Sequence, residues 1–255
     1  MFKKLQRCAT LPLGIAAIAL ANPAGAEPPA EPFSEAKIYF ELNDTDGDLG
    51  IHSAIDGSEW KYLEIEDPGE RRILAVNLTG RLRQLGLTEL FFESAEPSFD
   101  EMPAAEFLAK FPEGTYEISG ITVDGEELES AVKLSKLLPG PPRNVRVNGI
   151  RAAENCDAAN LPLVTPPVYI TWDPVTQSHP TIGRKGAAKI VRYQVFAEQT
   201  EDDPLTFSLD LPPTTTRYKI PQELIALGDD EYKFEVLARE ANGNQTAIES
   251  CFRVR

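Results

Sequence analysis

The chain has 255 residues, of which 40 are Asp or Glu and 25 are Lys or Arg, so its formal net charge at pH 7 is −15. A charge of this sign repels the phosphates of nucleic acids and of anionic membranes, so we expect neither as a partner. The acidity is concentrated in residues 27–140, with 25 acidic and 9 basic residues against 15 and 13 in residues 141–255. This pattern is typical of a solvated surface that keeps a protein soluble, with binding of a cation or a basic partner as the alternative.

The first 26 residues have the three parts of a secretory signal peptide. Three basic residues precede an apolar run over residues 11–20, and Ala24-Gly25-Ala26 follows as a cleavage site. The run is shorter than the roughly 18–20 apolar residues that a membrane-spanning helix needs, so we predict no membrane insertion. The sequence therefore predicts a periplasmic or secreted protein, cleaved near Ala26. Residues 27–36 (EPPAEPFSEA) have too few apolar residues to pack, and are predicted as a flexible leader.

Residues 37–138 are predicted to form a β-rich, immunoglobulin-like sandwich. Period-two alternation marks strands in AKIYFEL, WKYLEIE, RRILAVNL and LTELFFES. The segment YEISGITVDGEELESAVKL is predicted as a hairpin that turns at Asp124-Gly125. One short helix interrupts the strands, because Pro103 suits a first helical position, an apolar stripe follows, and Pro112 ends it.

A possible metal site lies in NDTDGDLGIH, residues 43–52. Asp44, Asp46 and Asp48 alternate as the first three ligands of an EF-hand calcium loop do. Two defining residues are missing, since Leu49 and Ile55 stand where such a loop has Gly and Glu. The pattern predicts either a loose calcium-binding turn, completed by a carboxylate from elsewhere, or a hairpin turn with solvated carboxylates. Calcium is the one cofactor that the sequence suggests.

Other candidate binding residues are aromatic or basic. Trp60, in SEWKYLEIE, is either a core residue or part of a flat platform on which sugar rings stack. Arg184 and Lys185 make the predicted loop over residues 176–188 locally basic, and loops at the end of a sandwich often carry binding sites. His52 is expected to be a surface histidine.

The stretch LPGPP coincides with the change in charge, so residues 139–142 are predicted as a linker between two domains. Residues 143–255 alternate with period two over seven predicted strands, as in a β-sandwich. From about residue 141 onward, this half resembles a fibronectin type III domain in LPGPPRNVRV, VYITWDPV, IVRYQVFAE and LIALGDDEYKFEVLARE. The resemblance implies structural roles for Trp172, Tyr193 and Tyr232, with Tyr232 at the tyrosine corner. The whole chain is similar to bacterial exported proteins that carry such a domain.

Cysteine chemistry and motifs limit the functional classes. Cys156 and Cys251 lie beyond the signal segment, and such a pair in an oxidising compartment is predicted to form a disulfide. Nucleophile-elbow, zinc-protease and phosphate-loop motifs are absent from the sequence, so we predict no enzyme. We expect two tandem β-sandwiches forming a non-catalytic binding or structural module, which acts through its loops on a protein or polysaccharide. Alternatives are a polysaccharide-binding accessory protein for a partner enzyme, and a calcium-stabilised adhesion module.

Overall fold

The computed structural model describes residues 29–200, 203–226 and 231–255, and the predicted signal peptide lies outside them. The described chain is an all-β sandwich fold with short helices. Its elements are β1 (Glu35–Asn43), β2 (Asp48–Glu66), β3 (Arg72–Asn77), α1 (Leu82–Leu85), β4 (Leu87–Glu93), α2 (Ala104–Lys110), β5 (Gly114–Thr122), β6 (Glu127–Leu134), β7 (Arg146–Val147), β8 (Ile150–Arg151), β9 (Leu163–Val164), β10 (Tyr169–Thr171), β11 (Ile190–Gln199), β12 (Thr206–Leu211), β13 (Arg217–Lys219), α3 (Gln222–Ala226), β14 (Glu231–Glu240) and β15 (Gln245–Val254).

The larger sheet runs through both halves of the chain. Its order is β12-β11-β14-β15-β1-β2-β5-β6, with β3 and β4 paired to β2 and β9 paired to β15. Strand β15 from the second half and β1 from the first are parallel neighbours, with Glu41 opposite Gln245 and Asn43 opposite Ala247. The two predicted sandwiches are therefore joined edge to edge through a shared sheet.

One 19-residue strand, β2, organises the first half. Up to Asp56 it pairs with β1 and β4, and from Trp60 onward it pairs mainly with β3 and β5. The register shifts around Trp60, so the alternation of inward and outward side chains changes there. Both parts enclose one core, to which each large buried side chain contributes about 1.5–3 kcal/mol. The predicted helix is α2, whereas α1 and α3 were not predicted, so the expectation of a single helix is corrected.

The second half has the predicted sandwich. Strands β12-β11-β14-β15 of the larger sheet and the smaller sheet β13-β10-β7-β8 contribute to its core. The Tyr193 hydroxyl accepts a hydrogen bond from the Val175 N–H at 2.8 Å, and its ring packs edge-on against Trp172. The Tyr232 hydroxyl donates to the carbonyl oxygen of Ile225 at 2.9 Å, as a tyrosine corner requires. Strands β8 and β9 are short additions to the seven predicted strands.

The structure also shows where the predicted linker, the last part of the predicted leader and the predicted disulfide lie. Residues 138–142, which contain the predicted linker, are buried. The predicted leader differs from expectation in its last part, because Glu31 pairs with Leu128 and Phe33 enters the core of the first half. The predicted disulfide is present, and it ties Cys156 to Cys251 of β15. Within the three described ranges, every helix is too short or too polar to cross a membrane.

Candidate functional site

The joint between the two halves is held by hydrogen bonds to a buried asparagine. Asn244, which is 0 % exposed, lies in the turn between β14 and β15. Its Oδ1 accepts the N–H of Phe40 at 2.8 Å, and its Nδ2 donates to the carbonyl oxygens of Ser135 at 2.7 Å and Leu137 at 2.9 Å. One side chain from the second half thus satisfies three backbone groups, one in β1 and two in the segment that follows β6. These bonds fix how the two halves meet.

The turn between β1 and β2 forms another part of this joint. Asp44 Oδ1 lies 2.8 Å from Nε2 of His179, which is buried. His179 Nδ1 accepts the N–H of Ile182 at 2.9 Å, so its proton is on Nε2, which donates to Asp44. The neighbouring Thr45 Oγ1 accepts the N–H of Glu249 at 2.8 Å. The Asp-rich motif of the sequence is thus one side of a contact between the two halves of the chain.

The three aspartates of the motif have different surroundings. Asp44 accepts a hydrogen bond from His179, while Asp46 Oδ2 accepts one from Asn43 Nδ2 at 2.8 Å. Asp48 begins β2, and its Oδ1 is buried without a hydrogen-bond partner. Burial, followed by the charges of Glu96 and Asp46, raises the pKa of Asp48 to about 6. Calcium binding by these three residues stays a prediction.

The imidazole of His52 is buried, which corrects the expectation of a surface histidine. It is 4 % exposed because its ring stacks on Tyr39, with 5.3 Å between ring centroids, and packs edge-on against Phe91. Its Nε2 lies 3.1 Å from Glu96 Oε1, and its Nδ1 lies 3.9 Å from Glu41 Oε2. The two aromatic rings therefore hold the imidazole between carboxylates.

Two glutamates converge on this histidine. One nitrogen of His52 and one carboxylate oxygen each of Glu93 and Glu96 lie within 4.8 Å of one another. Glu93 is paired with His52 across β2 and β4, while Glu96 follows β4 and lies against Gly50. A Cβ at residue 50 would overlap the Glu96 carboxylate, so the carboxylate fits there because residue 50 is glycine.

The second half contributes a cluster of charges to the same side of the shared sheet. Lys233 Nζ lies 3.2 Å from carboxylate oxygens of both Glu198 and Glu249, and 3.7 Å from Glu235 Oε1. Burial raises the pKa of Glu235 to about 7; Lys233 opposes this effect, whereas Glu249 and Glu41 add to it.

We call the combined surface the acidic face. It consists of Glu41, Asp48, His52, Glu93, Glu96, Glu198, Lys233, Glu235 and Glu249. The charge of Glu41 raises the pKa of Asp48 in the first half and of Glu235 in the second. The two clusters are therefore electrostatically connected across the joint. No local pattern in the sequence marks these glutamates, because their convergence depends on strand register and on the pairing of β1 with β15.

The structure also places the other predicted site residues. Trp60 is 0 % exposed, so its interpretation as a core residue is confirmed and the sugar-stacking platform is wrong. Arg184 Nη2 lies 3.2 Å from Ser135 Oγ, and Lys185 Nζ donates to the carbonyl oxygen of His179 at 2.9 Å. Arg184 thus ties the loop to the segment after β6, whereas the bond of Lys185 lies within the loop. The loop borders a cleft of about 530 Å³ whose lining includes Lys185 and Arg143.

No family model and no curated protein matches this sequence. Similar solved structures include the chicken CNTN1 FN1–FN3 domains, with 13 % identity and a TM-score of 0.32 over 89 % of this chain and 68 % of that one. A segment of two fibronectin type III domains from chicken tenascin has 10 % identity and a TM-score of 0.28, over 86 % and 97 % of the two chains. Similarities this low support no conclusion about this chain. Its sandwich fold is shown by the order of its own sheets.

Proposed function

We propose that this chain is an exported, non-catalytic binding module that acts as one two-domain body and binds a positively charged protein segment on its acidic face. The observation that carries the proposal is the parallel pairing of β1 with β15, because it places carboxylates of both halves on one continuous surface. The buried contacts of Asn244 support a fixed arrangement of that surface. A binding surface that is organised before the partner arrives loses less conformational entropy on binding.

The charge of the acidic face favours a cationic partner. The residues named above are seven carboxylates, one lysine and one histidine, and the whole chain has a net charge of −15. The same side of the sheet also carries Lys37 and Arg239, so the carboxylates outnumber the basic residues without being alone there. Opposite charges across an interface speed association and exclude partners of the wrong sign. Export is supported by the disulfide, because such bonds persist in oxidising compartments.

The test is fluorescence anisotropy with a labelled peptide of about ten residues, rich in lysine and arginine, titrated with the purified chain at about pH 8 and low salt. We expect binding that weakens as salt is added, and that weakens by roughly fivefold in the double variant Glu235→Gln, Glu249→Gln. It should also weaken between about pH 8 and about pH 5.5, because Asp48 and Glu235 take up protons in that range.

The matched control is Glu117→Gln, Glu129→Gln, which removes the same charge from exposed positions on β5 and β6. It should bind the peptide as the unmodified chain does. Equal weakening in both double variants would mean a general attraction between charges and would contradict a site on the acidic face. In that case the cleft beside Lys185 is the next surface to test, through Lys185→Ala.

A further inference from the structure

The first-half part of the acidic face has the ligand set of a metal site. Three potential ligand atoms, from His52, Glu93 and Glu96, lie within 4.8 Å of one another, and the His52 Nε2 to Glu96 Oε1 distance is 3.1 Å. Zinc binds imidazole nitrogen and carboxylate oxygen at about 2.0–2.2 Å, so neighbouring ligand atoms of one ion lie roughly 3–4 Å apart. Glu93 is exposed, so its side chain can turn to close the remaining distance to an ion held by the other two.

The histidine of this group is held in place before any ion arrives. Tyr39 covers one face of the His52 ring and Phe91 packs against it edge-on, which leaves the imidazole 4 % exposed. On the side away from Glu96, the closest carboxylate to Nδ1 is Glu41, at 3.9 Å. This separation is too long for a hydrogen bond, so Glu41 contributes negative charge behind the ring rather than a fixed tautomer.

The other imidazole of the chain is not available as a ligand. The chain has two histidines, and His179 donates from Nε2 to Asp44 and accepts at Nδ1 from the N–H of Ile182. Both of its ring nitrogens therefore have partners in the joint. Any binding that depends on an imidazole points to His52.

Two further features place partly buried negative charge beside the imidazole. Residue 50 is glycine, and any larger residue there would displace the Glu96 carboxylate from its place beside His52. Next to Glu96, Asp48 Oδ1 is buried without a hydrogen-bond partner. The charges of Glu96 and Asp48 repel each other, and a cation bound beside Glu96 would relieve that repulsion.

We propose that His52, Glu93 and Glu96 bind a divalent transition-metal ion of the zinc class. The imidazole selects this class over calcium and magnesium, which prefer ligand sets made of oxygen alone. Three protein ligands leave coordination positions for water or for a side chain of a bound partner. The proposal does not depend on the proposed function, since it requires no peptide.

The test is isothermal titration calorimetry of the chelator-treated full chain, purified without a histidine tag, with zinc chloride and in parallel with calcium chloride. We expect one zinc ion per chain, and binding at least about tenfold weaker in Glu93→Gln, whose side chain is exposed and does not support the fold. Cobalt added to the same protein should give visible absorption bands typical of a low-coordinate ion, and these bands should be lost in His52→Gln, which removes the nitrogen ligand.

The matched control is Glu89→Gln, which removes an exposed carboxylate from the same face of β4 and should leave zinc binding unchanged. Absence of zinc binding, or equal affinity in Glu93→Gln and Glu89→Gln, would overturn the proposal. Calcium binding that depends on Glu93, with no zinc binding, would also overturn it in favour of a site for a hard cation.

Discussion

The two halves of the molecule build sandwiches in different ways. In the second half, the strands of the core divide between two sheets, and tyrosines anchor the crossings between them. In the first half, β2 pairs with β1 and β4 along its first part and mainly with β3 and β5 along its second. Regular alternation is therefore easy to read in the second half, whereas the register shift around Trp60 interrupts it in the first.

The halves also differ in what they give to the joint. Each has its own apolar core, one over residues 33–138 and the other over residues 145–252. The first half offers mainly backbone groups at the joint, and the second half offers the buried side chains of Asn244 and His179. Two separate apolar cores are thus coupled through polar contacts. If these contacts are removed, the two halves should unfold separately, which a single merged core could not do.

Breaking the joint should have the largest effect. Asn244→Ala leaves two buried backbone groups without their partner, the Phe40 N–H and the Ser135 carbonyl, whereas the Leu137 carbonyl keeps a bond from Asn242 Nδ2. We expect it to lower the free energy of unfolding by about 2 kcal/mol or more. It should also separate the unfolding of the halves. Each half has one tryptophan, Trp60 or Trp172, so urea unfolding of Trp60→Phe and Trp172→Phe backgrounds follows each half by fluorescence.

The expected result is coincident transitions with Asn244 present and separate ones in Asn244→Ala. The control is Asn160→Ala, because Asn160 is exposed and its loss should leave both transitions in place. Coincident transitions in Asn244→Ala, at unchanged stability, would mean that the shared sheet couples the halves without the asparagine.

Changing the pH should show how much each part of the acidic face contributes to the stability of the fold. The pKa of Asp48, in the first half, is raised to about 6, and that of Glu235, in the second, to about 7. Both carboxyls hold a proton more tightly in the folded chain than in the unfolded one, so this contribution to stability is present at low pH and is lost as pH rises through about 4 to 7. Stability should therefore increase between about pH 8 and about pH 5.5, by roughly 1–2 kcal/mol for each group.

Thermal unfolding at the two pH values measures this change. Asp48→Asn and Glu235→Gln should each reduce the pH dependence, and the exposed Glu106→Gln should not. A pH dependence that is the same in all three variants would assign it to groups outside the acidic face.

The smallest effect is expected from calcium at the turn between β1 and β2. Asp44 and Asp46 already accept hydrogen bonds from His179 and Asn43, so about 5 mM calcium should shift Tm by less than about 1 °C relative to magnesium. Asp46→Asn should leave that response unchanged. A saturable shift specific to calcium, absent in Asp46→Asn, would instead make the turn a metal site and support the calcium-stabilised module.

Alternation and turn residues were enough to predict much of the fold. In the second half, the seven predicted strands, the buried Trp172 and Tyr193, and the tyrosine corner of Tyr232 are all confirmed. These features depend on local periodicity and on side chains that pack within one domain. In the first half, the hairpin of β5 and β6 and the helix α2 are confirmed for the same reason.

The candidate site was less accessible to sequence reasoning. The motif around Asp46 was predicted as a turn or calcium loop, but its contact with His179 joins residues 135 positions apart. The grouping of His52 with Glu93 and Glu96 depends on the pairing of β2 with β4 and on the path of the chain after β4. An exposed and a buried aromatic residue give the same alternating pattern, so Trp60 could not be assigned to one of them before the structure.

The all-β class, the strands of the second half and the disulfide between Cys156 and Cys251 could be predicted from the sequence. Strand alternation is a local pattern, and the disulfide follows from there being two cysteines beyond the signal segment. The tertiary structure decided that β15 pairs with β1, that Asn244 closes the joint, and that carboxylates of both halves share one face. Strands pair through backbone groups that nearly every residue has, so the pattern of side chains does not reveal which strand edges pair with each other.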